Sequence, residues 1–285
     1  MHKKNFFVAG MPGSGKTAYI GGLWIQLTEG IVPTIYKKVP GYMPEDSSKI
    51  DDIAKCILSC ENLERTKIGD NNNLEVLLYD NNENEVLLKL PDLAGEIFRN
   101  LVKDRQIDNK IVSMLAETDC ILFFTYYRNM SKEVRIKLSD CNSKEDLAIN
   151  SEKNLMDNIE DSKEANESQV VDLLLALLEL LNKTKKKINI RFIMSAWDMV
   201  EKEFEPSILP KNFMKQTFPL LYQCIQSNQD KINAEYWGIS ALGGDFDDQK
   251  DRTRLTIEEM NAIKVVEPNG NMTHDLTKVL SGTGD

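Results

Sequence analysis

One octapeptide constrains what this chain can fold into more than any other feature: Gly10-Met11-Pro12-Gly13-Ser14-Gly15-Lys16-Thr17, a G-x-x-x-x-G-K-T sequence. Such a loop needs a buried strand before it and a helix after it. Both flanks are present, since Phe6, Phe7 and Val8 read as strand and Ala18 to Leu27 as helix. Gly10, Gly13 and Gly15 let the backbone curl until successive N–H groups point inward, with Pro12 and Ser14 between them. The helix starting near Lys16 adds its positive dipole end. Lys16 is placed to reach the outer phosphates of a nucleotide, and the Thr17 hydroxyl is a hard oxygen ligand suited to Mg²⁺. Ala18 carries the loop into the helix. The stretch reads as a phosphate-binding loop.

The rest of the sequence narrows the setting. Hydrophobic residues make up 41% of 285, enough for a sizeable core and compatible with a single domain over 1–285. A formal net charge of -10 argues against nucleic acid or an anionic membrane as the main partner. No apolar run is long enough to span a bilayer, and MHKKNFF runs straight into the first strand with no room for a signal peptide. The five cysteines, Cys56, Cys60, Cys120, Cys141 and Cys224, are irregularly spaced and suit reduced thiols, so a cytoplasmic location is expected. His2 and His274 are the only histidines, which leaves a histidine-rich metal site or a histidine-based triad without its parts.

Apolar runs alternate with helical patterns, the mark of an α/β protein. Strands are expected near 5–9, 74–80, 85–91, 120–127, 188–194 and 235–240. The pair LEVLLYD and EVLLKLP, joined by the polar turn NNEN, forms a hairpin. The expected sheet is therefore six-stranded and mostly parallel, with one antiparallel edge strand and helices on both faces. Helices are expected over 17–28, 97–116, 168–186, 208–228 and 273–281. The stretch VVDLLLALLELL is apolar around most of its circumference, so it is either deeply buried or meets a partner. Two insertions interrupt the alternation. Residues 29–73 contain DSSKIDDIAKCILSC, which suits one extra helix, and 129–167 are polar and acidic and suit poor order or a solvated excursion.

Three later segments, each at the end of an expected strand, bear on the choice of nucleotide. Asp92-Leu93-Ala94-Gly95-Glu96 follows EVLLKLP. Asp92 there can hold Mg²⁺ through a water opposite Thr17, and Gly95 can offer its N–H to a γ-phosphate with no Cβ in the way. Ser195-Ala196-Trp197-Asp198 follows INIRFIM. A carboxylate at Asp198 can accept from the ring N–H and exocyclic amine of guanine, a donor pair that adenine lacks on that edge. Ser240-Ala241-Leu242 follows EYWGI, and its backbone N–H groups suit guanine O6.

As an ordered set, GMPGSGKT, DLAGE, SAWD and SAL resemble the G1, G3, G4 and G5 motifs of Ras-like P-loop GTPases of the TRAFAC class. The long insertions, the D-x-x-G-E form and the closing VVEPNGNMTHDLTKVL resemble the bacterial double-GTPase branch, associated with conflict and antiviral defence systems. The likeness covers nearly all of the chain outside 129–167. It implies a Ras-like fold, GTP and GDP as ligands with Mg²⁺, and slow GTP hydrolysis driving a switch that acts on a protein effector or activator. It also implies metal roles for Thr17 and Asp92, a γ-phosphate role for Gly95 and a guanine role for Asp198. The switch threonine that closes over Mg²⁺ is either Thr66 in LERTKIG, favoured by its place before the second strand, or Thr34 in IVPTIY. Association of two copies is expected, if at all, through the switch regions or helix 168–186.

The departures from the pattern are equally specific. Ser195-Ala196 stands where the family carries Asn-Lys, which removes the lysine stem that normally packs along the purine. Trp197 can supply stacking area or can be core. Asp198 can also cap the helix begun by MVEKEF. Glu96 stands where many relatives carry the glutamine that orients the attacking water. A carboxylate accepts from water but cannot donate to the transition-state oxygens, so Glu96 either slows hydrolysis or serves as the water anchor. Arg99 and Arg105 read as exposed helix residues, Lys183, Lys185, Lys186 and Lys187 as a solvated helix end, and Glu201, Glu203 and Glu205 as a solvated face. Two other functions remain: a nucleotide-gated binding module without turnover, and an ATP-using P-loop enzyme.

Overall fold

The computed structural model describes residues 3–44, 47–61, 74–91, 96–128, 166–182, 187–205, 207–258 and 262–281. Strand β1 (Lys3–Ala9) is central, and its alternation sets the architecture: Phe6 and Val8 face one hydrophobic core, Phe7 and Ala9 the other. Both faces are buried, which is why the strand reads as a continuous apolar run.

Helix α1 (Lys16–Glu29) follows the loop and packs on the first face. It ends at Gly30, whose N–H returns to the Gln26 carbonyl. A short edge strand β2 (Lys37–Lys38) and helix α2 (Ser47–Leu58) come next, so the extra helix expected inside the first insertion is present. The hairpin β3 (Leu74–Tyr79) and β4 (Glu85–Leu90) pairs antiparallel from Leu74 opposite Leu90 to Tyr79 opposite Glu85. Asp80 shapes its turn, accepting from the N–H groups of Asn82 and Asn84.

The helical stretch expected over 97–116 is two helices, α3 (Glu96–Asp104) and α4 (Asn109–Ala116). Arg105 takes a left-handed φ of 53° and stops the first, and the Asp108 carboxylate caps the second by accepting from the Lys110 N–H. Strand β5 (Cys120–Thr125) then pairs parallel with β1. Helix α5 (Glu167–Leu181) opens with a capping box between Asn166 and Gln169. Val170, Leu173, Leu174, Leu177, Leu178 and Leu181 are buried in the second core, while Leu175 on the same helix is exposed.

Strand β6 (Ile188–Ser195) leads into the short helix α6 (Trp197–Glu203). The helix expected over 208–228 is also two, α7 (Pro210–Thr217) and α8 (Pro219–Ser227), each with proline in its first turn. Pro219 has no N–H to continue α7, so the chain restarts there. The Glu167 carboxylate accepts from the Leu220 and Leu221 N–H groups at the start of α8. Strand β7 (Ile232–Ser240), helix α9 (Gln249–Glu258) and two short strands, β8 (Lys264–Val266) and β9 (Met272–Thr273), follow. The helix expected over 273–281 is a 3-10 turn, Leu276–Leu280, capped by Asp275.

The sheet corrects the expected strand count. Among the described residues it has nine strands in the order β2-β3-β4-β1-β5-β6-β7-β8-β9, not six. The central five, β4, β1, β5, β6 and β7, are parallel. Antiparallel pairing occurs at both flanks: β3 with β4 and β2 on one side, β8 with β7 and β9 on the other. The three extra strands are two or three residues long, too short to show a period in the sequence.

The last described segment is bound tightly to α1. Gln26, fully buried in the helix, accepts from the Leu276 N–H and donates to the His274 carbonyl. The Tyr19 hydroxyl donates to the Leu276 carbonyl, and Arg191 of β6 donates to the Val279 carbonyl. Arg191 is itself paired with Glu235 and lies over the rings of Phe6 and Trp237.

Candidate functional site

The loop Gly10–Thr17 crosses the carboxyl end of β1, as ligand sites in open α/β sheets do. Gly15 is the residue before α1 and has φ 94°; a Cβ there would come within 2.7 Å of Ser195 Cβ. Two constraints, a left-handed backbone and a neighbouring chain, therefore select glycine. Gly15 brings no side-chain cap to the N–H groups of the first turn of α1. An anion set in the loop meets those donors and the helix dipole together.

Lys16 is almost fully buried. Its ammonium donates to the carbonyls of Gly10 (2.8 Å) and Met11 (2.9 Å), and more weakly to Ser14 Oγ (3.4 Å). It also lies 5.9 Å from the centre of the Phe98 ring. Phe98 belongs to α3 and meets Phe7 edge-on, so the helix after the D-x-x-G segment touches the loop lysine directly.

A cavity of about 320 Å³ opens beside the loop, bounded by Gly15 and Ala18 on one side and by the ends of β6 and β7 on the other. Ser195, Ala196, Asp198, Ser240, Ala241 and Leu242 all line it. Those two strand ends were singled out in the sequence, and the fold brings them together beside the phosphate loop. Ser195 joins the parts, since its hydroxyl is shared between the carbonyls of Ser14 (2.8 Å) in the loop and Thr125 (2.9 Å) at the end of β5. Ala196 takes φ 52°, a left-handed turn at a residue with a side chain, which costs on the order of 1 kcal/mol.

Asp198 carries the sharpest chemical signal. It is 9% exposed; its Oδ1 accepts from the Ser240 hydroxyl at 2.6 Å, and its Oδ2 is buried with no hydrogen-bond partner among the described residues. A buried carboxylate oxygen without a donor costs about 1–3 kcal/mol or more, a cost that incoming N–H donors would remove. The N–H edge of guanine supplies two.

Other expected residues are placed differently. Trp197 is 2% exposed and does not line the cavity. Its ring packs on Gly238, where any Cβ would run into it, and meets Phe213 at 5.5 Å. Thr34 follows the far end of α1, and its neighbours are held on the Gln26 side: Ile35 N–H donates to Asp275 Oδ2 and Tyr36 N–H to Thr277 Oγ1. Thr66, Asp92 and Gly95 lie outside the described residues, as do 129–165 and Lys183, Lys185 and Lys186. Glu96 opens α3, with its carboxylate 3.3 Å from the Arg99 guanidinium.

Of the acidic face expected after Asp198, Glu203 and Glu205 are exposed and Glu201 half-buried, and two of the three also form ties. Glu201 pairs with Lys264 at 2.6 Å, and Glu203 with Arg128 and the Tyr127 hydroxyl. Lys202 pairs with Asp251 at 2.8 Å. These pairs link the Asp198 turn to β8, to the end of β5 and to α9. Burial pushes the Asp251 carboxyl up, but the Asp245 N–H, Lys202 and Arg254 together hold it below the usual carboxylate range.

Tyr126, Met199, Asp245 and Asp247 also line the cavity and carry no motif. Only the position of Tyr126, one residue past a strand that ends beside the loop, could have pointed to it.

Among known proteins, the family described as Double-GTPase 1 matches residues 7–282. No curated protein sequence matches. Solved structures with similarity include a bacterial selenocysteine-specific elongation factor, EF-Sec, with 9% identity and a TM-score of 0.38, covering 90% of this chain and 29% of that one. A putative nucleolar GTP-binding protein 1 from Plasmodium falciparum has 14% identity and a TM-score of 0.37, with 92% and 89% covered. Era from Aquifex aeolicus, solved with GDP and AlF4-, has 13% identity and a TM-score of 0.34, with 90% and 56% covered. The chain thus spans less than a third of the elongation factor's length.

Proposed function

The chain belongs to the Double-GTPase 1 family, and from this we propose that it binds GTP and GDP in the cavity beside the phosphate loop and hydrolyses GTP slowly, as a switch acting on a protein effector. The observation that carries the reading is Asp198 Oδ2, a buried acceptor without a donor among the described residues, in the cavity that adjoins the loop. In this reading Gly10, Pro12, Gly13, Ser14, Gly15 and Lys16 surround the phosphates, and Ala18 and the two strand ends surround the base.

Mg²⁺ suits the residues present. It keeps several waters and takes few protein oxygens alongside substrate phosphates, so the Thr17 hydroxyl beside the loop is a sufficient described ligand, with Asp92 and Thr66 as its proposed partners. When bound, it neutralises charge on the phosphate oxygens. The chain's own part in hydrolysis is electrostatic. Lys16 leaves the loop carbonyls to hold the outer phosphates, and the first turn of α1 holds them by its N–H groups. Water oxygen bonds to the γ-phosphorus as the bond to the β–γ bridging oxygen breaks, and the water proton passes to the released phosphate. Glu96 can accept from that water but cannot donate, and the Arg99 partner offsets part of its charge. Slow turnover follows, and a partner that reorganises α3 would relieve it. Defence against phage is the setting we favour for such a switch, in the cytoplasm; no described helix is long and apolar enough to cross a membrane.

Equilibrium titration with GTP, GDP, ATP and ADP tests the reading. Guanine nucleotides are expected to bind at least about tenfold tighter, since the purine edge offers Asp198 two charge-assisted hydrogen bonds. Equal affinity for ATP would overturn it in favour of an ATP-using enzyme, and tight GTP binding with no phosphate released in a single turnover would leave a nucleotide-gated binding module.

A further inference from the structure

Resting on that guanine-nucleotide reading, we propose that Tyr126 is the aromatic face on which the purine stacks. The residues expected to cover the base cannot do so. Ala196 offers one methyl group, and the Trp197 ring is turned away from the cavity against Gly238 and Phe213. Along the turn that carries Asp198, no aromatic ring faces the cavity.

Tyr126 fills that place from another strand. It directly follows Thr125, the last residue of β5, which lies between β1, the source of the loop, and β6, the source of the Asp198 turn. Thr125 sits level with Met194, so Tyr126 emerges beside Ser195 and Ala196. It lines the same cavity as Gly15, Asp198 and Leu242, and it is half-buried.

The ring is also held in place before any ligand arrives. Tyr127 meets it at 5.9 Å and 74°, and Tyr127 in turn packs edge-on against Phe204 and Phe213. The Tyr127 hydroxyl and Arg128 are both tied to Glu203 of α6. A platform fixed in this way loses little side-chain freedom on binding. Burial raises the Tyr126 hydroxyl above its ordinary range more than Arg128 lowers it, and Asp245 and Asp198 add to the rise. The ring therefore stays neutral at neutral pH beside two carboxylates and an anionic ligand.

Stacking is blind to the hydrogen-bonding edge of the base, and this separates it from the role of Asp198. The test titrates parent, Tyr126→Phe and Tyr126→Ala with GTP, ATP and inorganic tripolyphosphate at saturating Mg²⁺. Tyr126→Ala is expected to weaken GTP and ATP by one common factor, about tenfold or more, because stacking one base on an aromatic ring is worth that much. Tripolyphosphate binding stays within about twofold of the parent, since a phosphate chain has nothing to stack. Tyr126→Phe keeps the parent affinities. Unchanged GTP affinity in Tyr126→Ala, an equal loss in Tyr126→Phe, or a parallel loss of tripolyphosphate would each overturn the proposal. Failure of the guanine reading shows elsewhere, as equal GTP and ATP affinity in the parent, and the common factor for Tyr126→Ala remains measurable in that case.

Discussion

Ser240 Oγ donates to Asp198 Oδ1 across 2.6 Å, joining the ends of β6 and β7 over a sequence separation of 42 residues. The contact fixes the carboxylate and leaves Oδ2 as its unmatched acceptor. Replacing the serine by alanine removes the only donor seen for Oδ1 among the described residues. Ser240→Ala should therefore cost about 1–3 kcal/mol of stability and lower the preference for GTP over ATP. Urea unfolding and paired titrations check both effects; a variant as stable and as selective as the parent would make the contact incidental.

Asp198→Asn should weaken GTP by about 1.5–3 kcal/mol and favour xanthosine triphosphate, whose edge presents an acceptor to the new amide. The ratio of the two affinities is the measurement. If the ratio does not move, Asp198 serves only to begin α6.

Ser195→Ala tests the link between the phosphate loop and β5. Its shared hydroxyl is worth about 1 kcal/mol, and its loss should loosen the loop without touching the base edge. GTP and ATP affinities should fall together by a few-fold while their ratio holds. A change in that ratio would place Ser195 against the base.

Lys16→Ala should abolish triphosphate binding, losing more than about a hundredfold, because two charge-assisted hydrogen bonds of about 1.5–3 kcal/mol each disappear. The fold should survive, since the ammonium is held by loop groups and lies against the Phe98 face. Calorimetric titration alongside circular dichroism separates the two effects. Unaltered GTP affinity would remove the loop from the site.

Glu96→Gln should speed single-turnover hydrolysis several-fold, since glutamine orients water and also donates. The Arg99 contact is weak at 3.3 Å and partly exposed, so its loss has little effect on the fold. A slower variant would make Glu96 the water anchor.

The strand–loop–helix unit was legible because three local signals agree there: an apolar run, fixed glycine spacing and helical periodicity. The central strands were legible for the same reason. What the sequence hid was long-range or conformational. Arg105 carries no mark of a left-handed turn, although Asp108 is a readable cap, and Pro219 signalled a break inside an otherwise helical pattern. The pairing of Ser240 with Asp198 depends on strand order, which residue types do not state. Of the two readings left open for Trp197 the core one holds, and Tyr126, which carries no motif, lines the cavity. The side on which each ring emerges is set by the backbone turn at Ala196 and by the register of β5.

The hold on Gln26 has a consequence for how the protein is made. Its partner Leu276 is 250 residues later in the chain. During synthesis the phosphate loop leaves the ribosome well before the 3-10 turn, so the helix behind it gains that wall only when the turn emerges. Contacts of such separation are slow to form. The nascent chain therefore carries the motif well before α1 is braced from behind, since that contact can form only once Leu276 has emerged.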